Sequence, residues 1–393
     1  MMPRLFLVAT LLIAQVSSQC GSSSTSPSTS APNNTLSVLV NAGPHGDYIN
    51  GLFTSVVVCV PGTSNCQTIG GILVDTGSEG LRILNTALTL TLPQRTAGNG
   101  APLVECAQFE DGFTWGPVQT ADVKLSGETA SAIPIQVIGE GQFPNIPQQC
   151  TSTGVAEDTL ATLGTNGILG IGNFREDCGS SCEANGASNP GFYFACPSSG
   201  CATAAVPSAS QLQNPVWLFG SDNNGVTIQL PPVAAGGATT IAGSLMFGIG
   251  TQSNNALGSA KVLTTDADGN VTTVFNNQSY SNSFIDSGSN GIFFLDAATT
   301  GIPVCSDVTD FYCPPRTQSF SATIRGGNGA TAGVSFNVGN ADQLSGRFTA
   351  FSELAGPNPG GFDWGLPFFF GRTVFVSIAG QSAPGGAAPY IAF

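Results

Sequence analysis

One stretch of this chain occurs twice. Residues 72–84 read ILVDTGSEGLRIL and residues 283–295 read SFIDSGSNGIFFL. Laid over each other without gaps, Asp75 meets Asp286, Gly77 meets Gly288, Ser78 meets Ser289, Gly80 meets Gly291 and Leu84 meets Leu295. Val74 and Ile285, Thr76 and Ser287, and Leu81 and Ile292 differ only conservatively. An apolar run such as Ile72–Val74 predicts a buried strand. The Gly that follows Asp-Thr lets the backbone turn where a Cβ would be costly. Each copy therefore sets a carboxylate at the tip of a buried strand, held by local hydroxyls and backbone N–H groups. Two copies, 211 residues apart in a chain of 393, predict two lobes related by a pseudo-twofold that brings Asp75 and Asp286 face to face. Carboxyls that close cannot both ionise easily, so they share a proton and titrate as a pair. One site then holds both an acid and a base, able to activate water and protonate a leaving group.

The rest of the chain narrows the alternatives. Its length allows a large core and two domains. Only 9% of residues are charged, hydrophobics are 41%, and there are 51 Gly and 25 Pro, a composition of many short strands and turns. The net charge of −14, with ten Lys+Arg, argues against a nucleic-acid partner, which needs a basic face. The single histidine, His45, lies between Pro44 and Gly46 and reads as a loop residue. With no G-x-S-x-G elbow, a Ser–His mechanism has little to stand on.

In chain order, residues 1–19 carry an Arg and an apolar run from Leu5 to Val16, too short to span a bilayer comfortably, and read as a secretory signal peptide. Cys20 follows, either as a site of lipid attachment and membrane anchoring or simply near a cleavage point. Residues 20–35 are a Ser/Thr/Pro-rich linker. Eleven cysteines agree with export, and without Cys20 ten remain for five disulfides. The expected bridges are Cys59–Cys66, Cys106–Cys150 and Cys305–Cys313, with two more among Cys178, Cys182, Cys196 and Cys201. That last group has a zinc-like spacing, but an exported chain favours disulfides. Strands are expected at LSVLVNA, FTSVVVCV and IGGILV leading into Asp75, a hairpin at 104–127, and strands near 318–325 and 333–338. Residues 173–215 read as a Cys- and Pro-rich surface excursion. Asp266-Ala-Asp268-Gly269-Asn270 looks like a calcium-loop fragment but has Asn277 where Glu is needed, so a hairpin turn is the better reading.

The paired D-T/S-G-S motifs resemble those of the pepsin-like aspartic proteases. GILGIG at 167–172 resembles the element passing behind the first catalytic loop of such proteins. AGSLMFGIG at 242–250 resembles a strand of their second lobe. WGLPFFFGR at 364–372 resembles their W-I-L-G-D-x-F-L-R, with Pro367 at the Gly position. Together with CVPGTSNCQTI at 59–69, it is also similar to a bacterial exported family known only as a domain of unknown function. The resemblance covers nearly all of 36–393. It implies an all-β fold with few short helices: a bilobal double β-barrel with pseudo-twofold symmetry, its lobes at 36–210 and 211–393. It further implies Asp75 and Asp286 as catalytic residues, with Thr76, Gly77, Ser78, Ser287, Gly288 and Ser289 supporting them. The 104–127 hairpin becomes a flap over substrate, with Phe109, Gly112 and Trp115 in its binding surface and Phe109 where the family carries Tyr. No metal or organic cofactor is called for.

The function expected is that of an exported aspartic endopeptidase, a monomer acting on a peptide or protein in the periplasm, at the outer cell surface or outside the cell. The alternative is a catalytically silent cell-surface protein that holds a peptide or glycan in the same cleft.

Overall fold

The computed structural model describes residues 33–344 and 347–393. The expected signal peptide, Cys20 and the linker as far as residue 32 lie outside the described residues, but the end of the expected linker is folded: Asn34 is buried and donates to the Phe247 carbonyl at 2.9 Å, and Thr35 begins the first strand. The chain is built almost wholly of strands. The three α-helices among the described residues, Gln148–Thr151, Leu160–Leu163 and Ala297–Thr300, have four residues each.

The strands gather into a sixteen-stranded sheet and a seven-stranded sheet, each curled like a barrel wall, with a small two-stranded ribbon beside them. The first described strand, Thr35–Asn41, lies between Gly51–Cys59 and Ile241–Phe247, antiparallel to both, so one sheet runs from the early part of the chain into the late part. Side-chain periodicity explains the assignments. In Thr331–Val338, Val334, Phe336 and Val338 are buried and their neighbours face out, the alternation of a half-buried strand. Ile72–Val74 is buried throughout, as expected of a strand covered on both faces.

Each copy of the duplicated motif forms the same construction. Cys66–Asp75 runs parallel to Gly167–Ile171, with Val74 beside Leu169 and Asp75 beside Gly170. The chain turns at the Asp-Thr-Gly-Ser loop and returns as Glu79–Leu84, antiparallel to that same strand, with Leu81 opposite Leu169. In the second copy Gln278–Ile285 runs parallel to Asn358–Trp364, with Ile285 beside Trp364. Ile292–Leu295 then returns antiparallel, with Ile292 opposite Trp364. Both registers equate Trp364 with Leu169, and hence Gly365 with Gly170.

That register corrects the motif alignment at the second crossing. Gly365, not Pro367, stands where the chain passes behind the loop. A Cβ there would fall 2.1 Å from the Gly291 carbonyl oxygen and 2.6 Å from that of Ser289. Pro367 lies beyond the crossing in the one-turn 3₁₀ helix Leu366–Phe368, a position that tolerates its missing N–H.

Two further expectations change. Residues 173–215 are not a surface excursion: Tyr193–Ala195 pairs with Leu103–Gln108, and Tyr193 and Leu212 are fully buried. The Asp266–Asn270 turn closes with Asp266 Oδ1 accepting from the N–H groups of Asp268 and Asn270. It joins strands of different sheets, so it is a turn but not a hairpin. The ten cysteines form Cys59–Cys66, Cys106–Cys150, Cys178–Cys182, Cys196–Cys201 and Cys305–Cys313. These five bridges are consistent with an exported protein. Among the described residues no helix is long and apolar enough to cross a membrane.

Candidate active site

The two loops meet tip to tip, and their hydroxyls lock them together. The Thr76 N–H donates to Ser287 Oγ at 3.2 Å, and the Ser287 N–H to Thr76 Oγ1 at 2.9 Å. Each hydroxyl then donates across the junction, Thr76 to the Ile285 carbonyl at 3.3 Å and Ser287 to the Val74 carbonyl at 2.8 Å. Both residues are buried, so the exchange happens out of water, where an unmade bond is costly.

This clasp fixes Asp75 and Asp286. In each loop the Gly two residues on donates its N–H to the carboxylate, Gly77 to Asp75 Oδ1 and Gly288 to Asp286 Oδ1, both at 2.7 Å. The Ser three residues on donates to the other oxygen: Ser78 to Asp75 Oδ2, and Ser289 to Asp286 Oδ2 at 2.9 Å. The glycines also make room for the opposite carboxyl. A Cβ on Gly77 would fall 2.7 Å from Asp286 Cγ, and one on Gly288 2.7 Å from Asp75 Oδ1. No side chain fits there, which is the physical reason for Gly at both places. The two carboxyls therefore face each other across these glycines. Burial first, then the charges of Asp75 and Asp363, raise Asp286 well above the ordinary carboxyl range.

The hairpin residues divide. Gly112 lies under the Gly154–Glu157 segment, where a Cβ would meet the Val155 carbonyl oxygen at 2.6 Å. Phe109 is half-buried against Leu84, Ile138, Leu163 and Ile168. Trp115 does not offer its indole N–H to the cleft. It is buried against Phe194 and donates to the Phe143 carbonyl at 2.8 Å, so it is a packing residue of the hairpin base. At the hairpin tip, burial first and then the neighbouring Asp111 push Glu157 up to about 8.

Two residues near the dyad escape the sequence reading. Tyr48, edge-on to Phe53, has its phenol raised by burial and then by Asp111, Glu157, Asp75 and Asp286. Asp363 is 6% exposed, and burial pushes it up to about 8, while the Ser289 hydroxyl draws it down. The signal for Asp363 was a lone carboxylate in the apolar run GFDWGLPFFF, in a chain with few charges. Tyr48 had no comparable signal. Among the described residues, the only trio of Cys, His or acidic side chains close enough to share an ion is Cys305, Cys313 and Asp342, and its two sulfurs are bonded to each other.

Comparison with known proteins agrees with this geometry at the level of fold. The model of the family described as Protein of unknown function (DUF3443) matches residues 30–393. No curated protein matches the chain. Among solved structures the chain is similar to the aspartic proteinase from Irpex lacteus, with a TM-score of 0.52 at 14% identity, over 91% of this chain and 96% of that one. The fold is therefore pepsin-like.

Proposed function

The chain belongs to the DUF3443 family, and from that premise and the site's geometry we propose that it is an exported aspartic endopeptidase. The observation that carries this reading is the facing pair Asp75 and Asp286, each held by one Gly N–H and one Ser hydroxyl, with the opposite carboxyl lying over the Gly. Asp286, held high by burial and neighbouring charge, carries the shared proton. Asp75 accepts a proton from a water as that water's oxygen attacks the peptide carbonyl carbon. Asp286 gives its proton to the carbonyl oxygen. When the tetrahedral intermediate collapses, a proton passes to the amide nitrogen and the C–N bond breaks. The 104–127 hairpin, with Phe109 and Gly112 near its tip, covers the cleft, and the substrate is a peptide or an unfolded protein segment.

The test is cleavage of an unfolded protein by the purified chain from about pH 3 to 7, beside Asp75→Asn and Asp286→Asn. Loss of either carboxyl is expected to lower kcat/KM by about 10²–10⁴-fold or more, with thermal unfolding showing that both variants fold. Folded native chain that binds unfolded peptides and cuts none at any pH would instead make the cleft a holder of peptide or glycan.

A further inference from the structure

Asp363 has no counterpart in the first half. Both registers set it at the position of Ile168. Phe362 and Trp364 are in the core, so strand alternation turns Asp363 to the opposite face, toward the dyad loops. Its cross-strand neighbours are Phe284 and Phe293. Its polar neighbour is Ser289, whose one proton goes to Asp286. Asp363 Oδ1 is buried and has no hydrogen-bond partner among the described residues. Buried polar atoms almost always have partners, and one without needs a reason.

The surrounding charges give the reason a sign. Asp75 and Glu110 both act on Asp363, and Asp363 acts on Asp286. Asn290, the residue after Ser289, lines a cavity of about 470 Å³ whose other walls come from the Tyr48, Asp111–Glu157 and Asp342 segments. Four carboxyls line it, Asp47, Asp111, Glu157 and Asp342, and its one basic side chain is His45, which is held by Asp47. Every charge named around Asp363, Asp286 and Glu157 is negative. A cleft of this kind raises the local concentration of cationic ligands.

We propose that Asp363 is a specificity-determining residue, receiving the basic end of a Lys or Arg side chain of a peptide laid across the dyad. The cation meets the carboxyl at its accessible edge, Asp363 being 6% exposed, and offsets the repulsion among Asp363, Asp75 and Glu110. An apolar side chain of the same length leaves the carboxylate without a counter-charge, the kind of mismatch a polar site rejects most strongly. Asp363 must release a proton to ionise against the cation, so the preference grows as pH rises toward 8. The inference rests on the cleft holding a peptide, as in the proposed function, but not on the peptide being cut.

The experiment separates those two points. Fluorescent decapeptides with one Lys scanned through every position, and the same set with norleucine, are titrated against the full chain carrying Asp75→Asn. Anisotropy is read at pH 5 and 7.5, then repeated with Asp75→Asn/Asp363→Asn, or with Asp363→Ser where the Asn variant does not fold. At one or two positions, Lys is expected to bind about tenfold tighter than norleucine at pH 7.5, as a charge-assisted hydrogen bond requires. The ratio falls at pH 5 and approaches one without Asp363. Equal binding of the two sets, binding of neither, or a Lys preference that survives loss of Asp363 overturns the proposal. Cleavage by the native chain with no Lys preference sinks this inference alone. Lys-dependent binding without cleavage sustains it and sinks the endopeptidase reading.

Discussion

The two halves of the molecule hold the same carboxylate loop and surround it differently. In the first half the residue before the crossing Leu169 is Ile168, and the residue after Ser78 is Glu79, a buried acid raised to about 7 by burial, beside the Phe174 N–H. In the second half the matching residues are Asp363 and Asn290. The supports differ as well. Behind the first loop, the buried Arg82 reaches Glu105 at 2.6 Å and Asp177 at 3.0 Å, and Tyr193 donates to Asp177 at 2.7 Å. Behind the second, Phe294 packs on Phe362 and Phe336, and Trp364 stacks on Phe362. The duplicated backbone thus sets where the carboxyls sit, while the unduplicated side chains around it set their electrostatic surroundings.

The largest effects should come from breaking either support. Arg82→Met leaves Glu105 and Asp177 buried without their cation, and is expected to cost about 3–5 kcal/mol in urea unfolding. Phe294→Ala opens a cavity in the aromatic cluster and should cost about 3–5 kcal/mol as well. The difference lies in pH: acid relieves Arg82→Met as the stranded carboxyls protonate, and leaves Phe294→Ala unchanged. Equal pH responses would mean that the ion network does not anchor the first half.

Next comes the clasp where the halves meet. Thr76→Ala or Ser287→Ala removes one hydroxyl that both donates and accepts, stranding buried backbone groups, at about 1–3 kcal/mol each. Thr76→Ser and Ser287→Thr keep the bonds and should stay near the native stability. If one Ala variant costs almost nothing, the clasp is not mutual, and the pseudo-symmetry is one of backbone alone.

Much of this was legible because it was written twice. The repeat of Asp75 at Asp286, with glycines and hydroxyls in step, specified both the loops and their meeting, and period-two runs specified strands such as Gln318–Arg325 and Thr331–Val338. What stayed hidden was written once. Pro367 drew attention because it interrupts a motif, yet the crossing glycine is Gly365, and only strand register distinguishes the two. Tyr193 looked like part of a loop because its burial depends on Asp177 and on the distant Glu105 and Arg82. Trp115 carries a polar N–H, but sequence could not show that the Phe143 carbonyl already accepts it.

A smaller effect compares the two unmatched acids. Glu79, about 7, and Asp363, about 8, are both raised above their unfolded values, so the native state binds more protons than the unfolded state between about pH 4 and 8. Their contribution to stability is fully present below about pH 4 and is lost as pH rises through the folded values. Glu79→Gln and Asp363→Asn should each flatten the fall of melting temperature across that window, Asp363→Asn to higher pH. A slope unchanged by either variant would place the titration elsewhere.

The smallest effect concerns the hydroxyl that Phe109 lacks. Phe109 packs on the first half through Leu84, Ile138, Leu163 and Ile168, whereas the Tyr48 phenol lies in the fields of both dyad carboxyls and of the Asp111–Glu157 pair. If Tyr48 supplies the cleft's phenolic donor, Tyr48→Phe should lower kcat/KM severalfold, roughly the worth of one hydrogen bond, with little change in melting temperature. Phe109→Tyr alone should do almost nothing. The double variant decides whether the two positions are interchangeable. Recovery of the rate when the hydroxyl moves to the hairpin would mean that the cleft needs a phenol but not a particular strand to carry it. Failure to recover would tie the donor to the Tyr48 loop, and with it the difference between the walls of the two carboxyls.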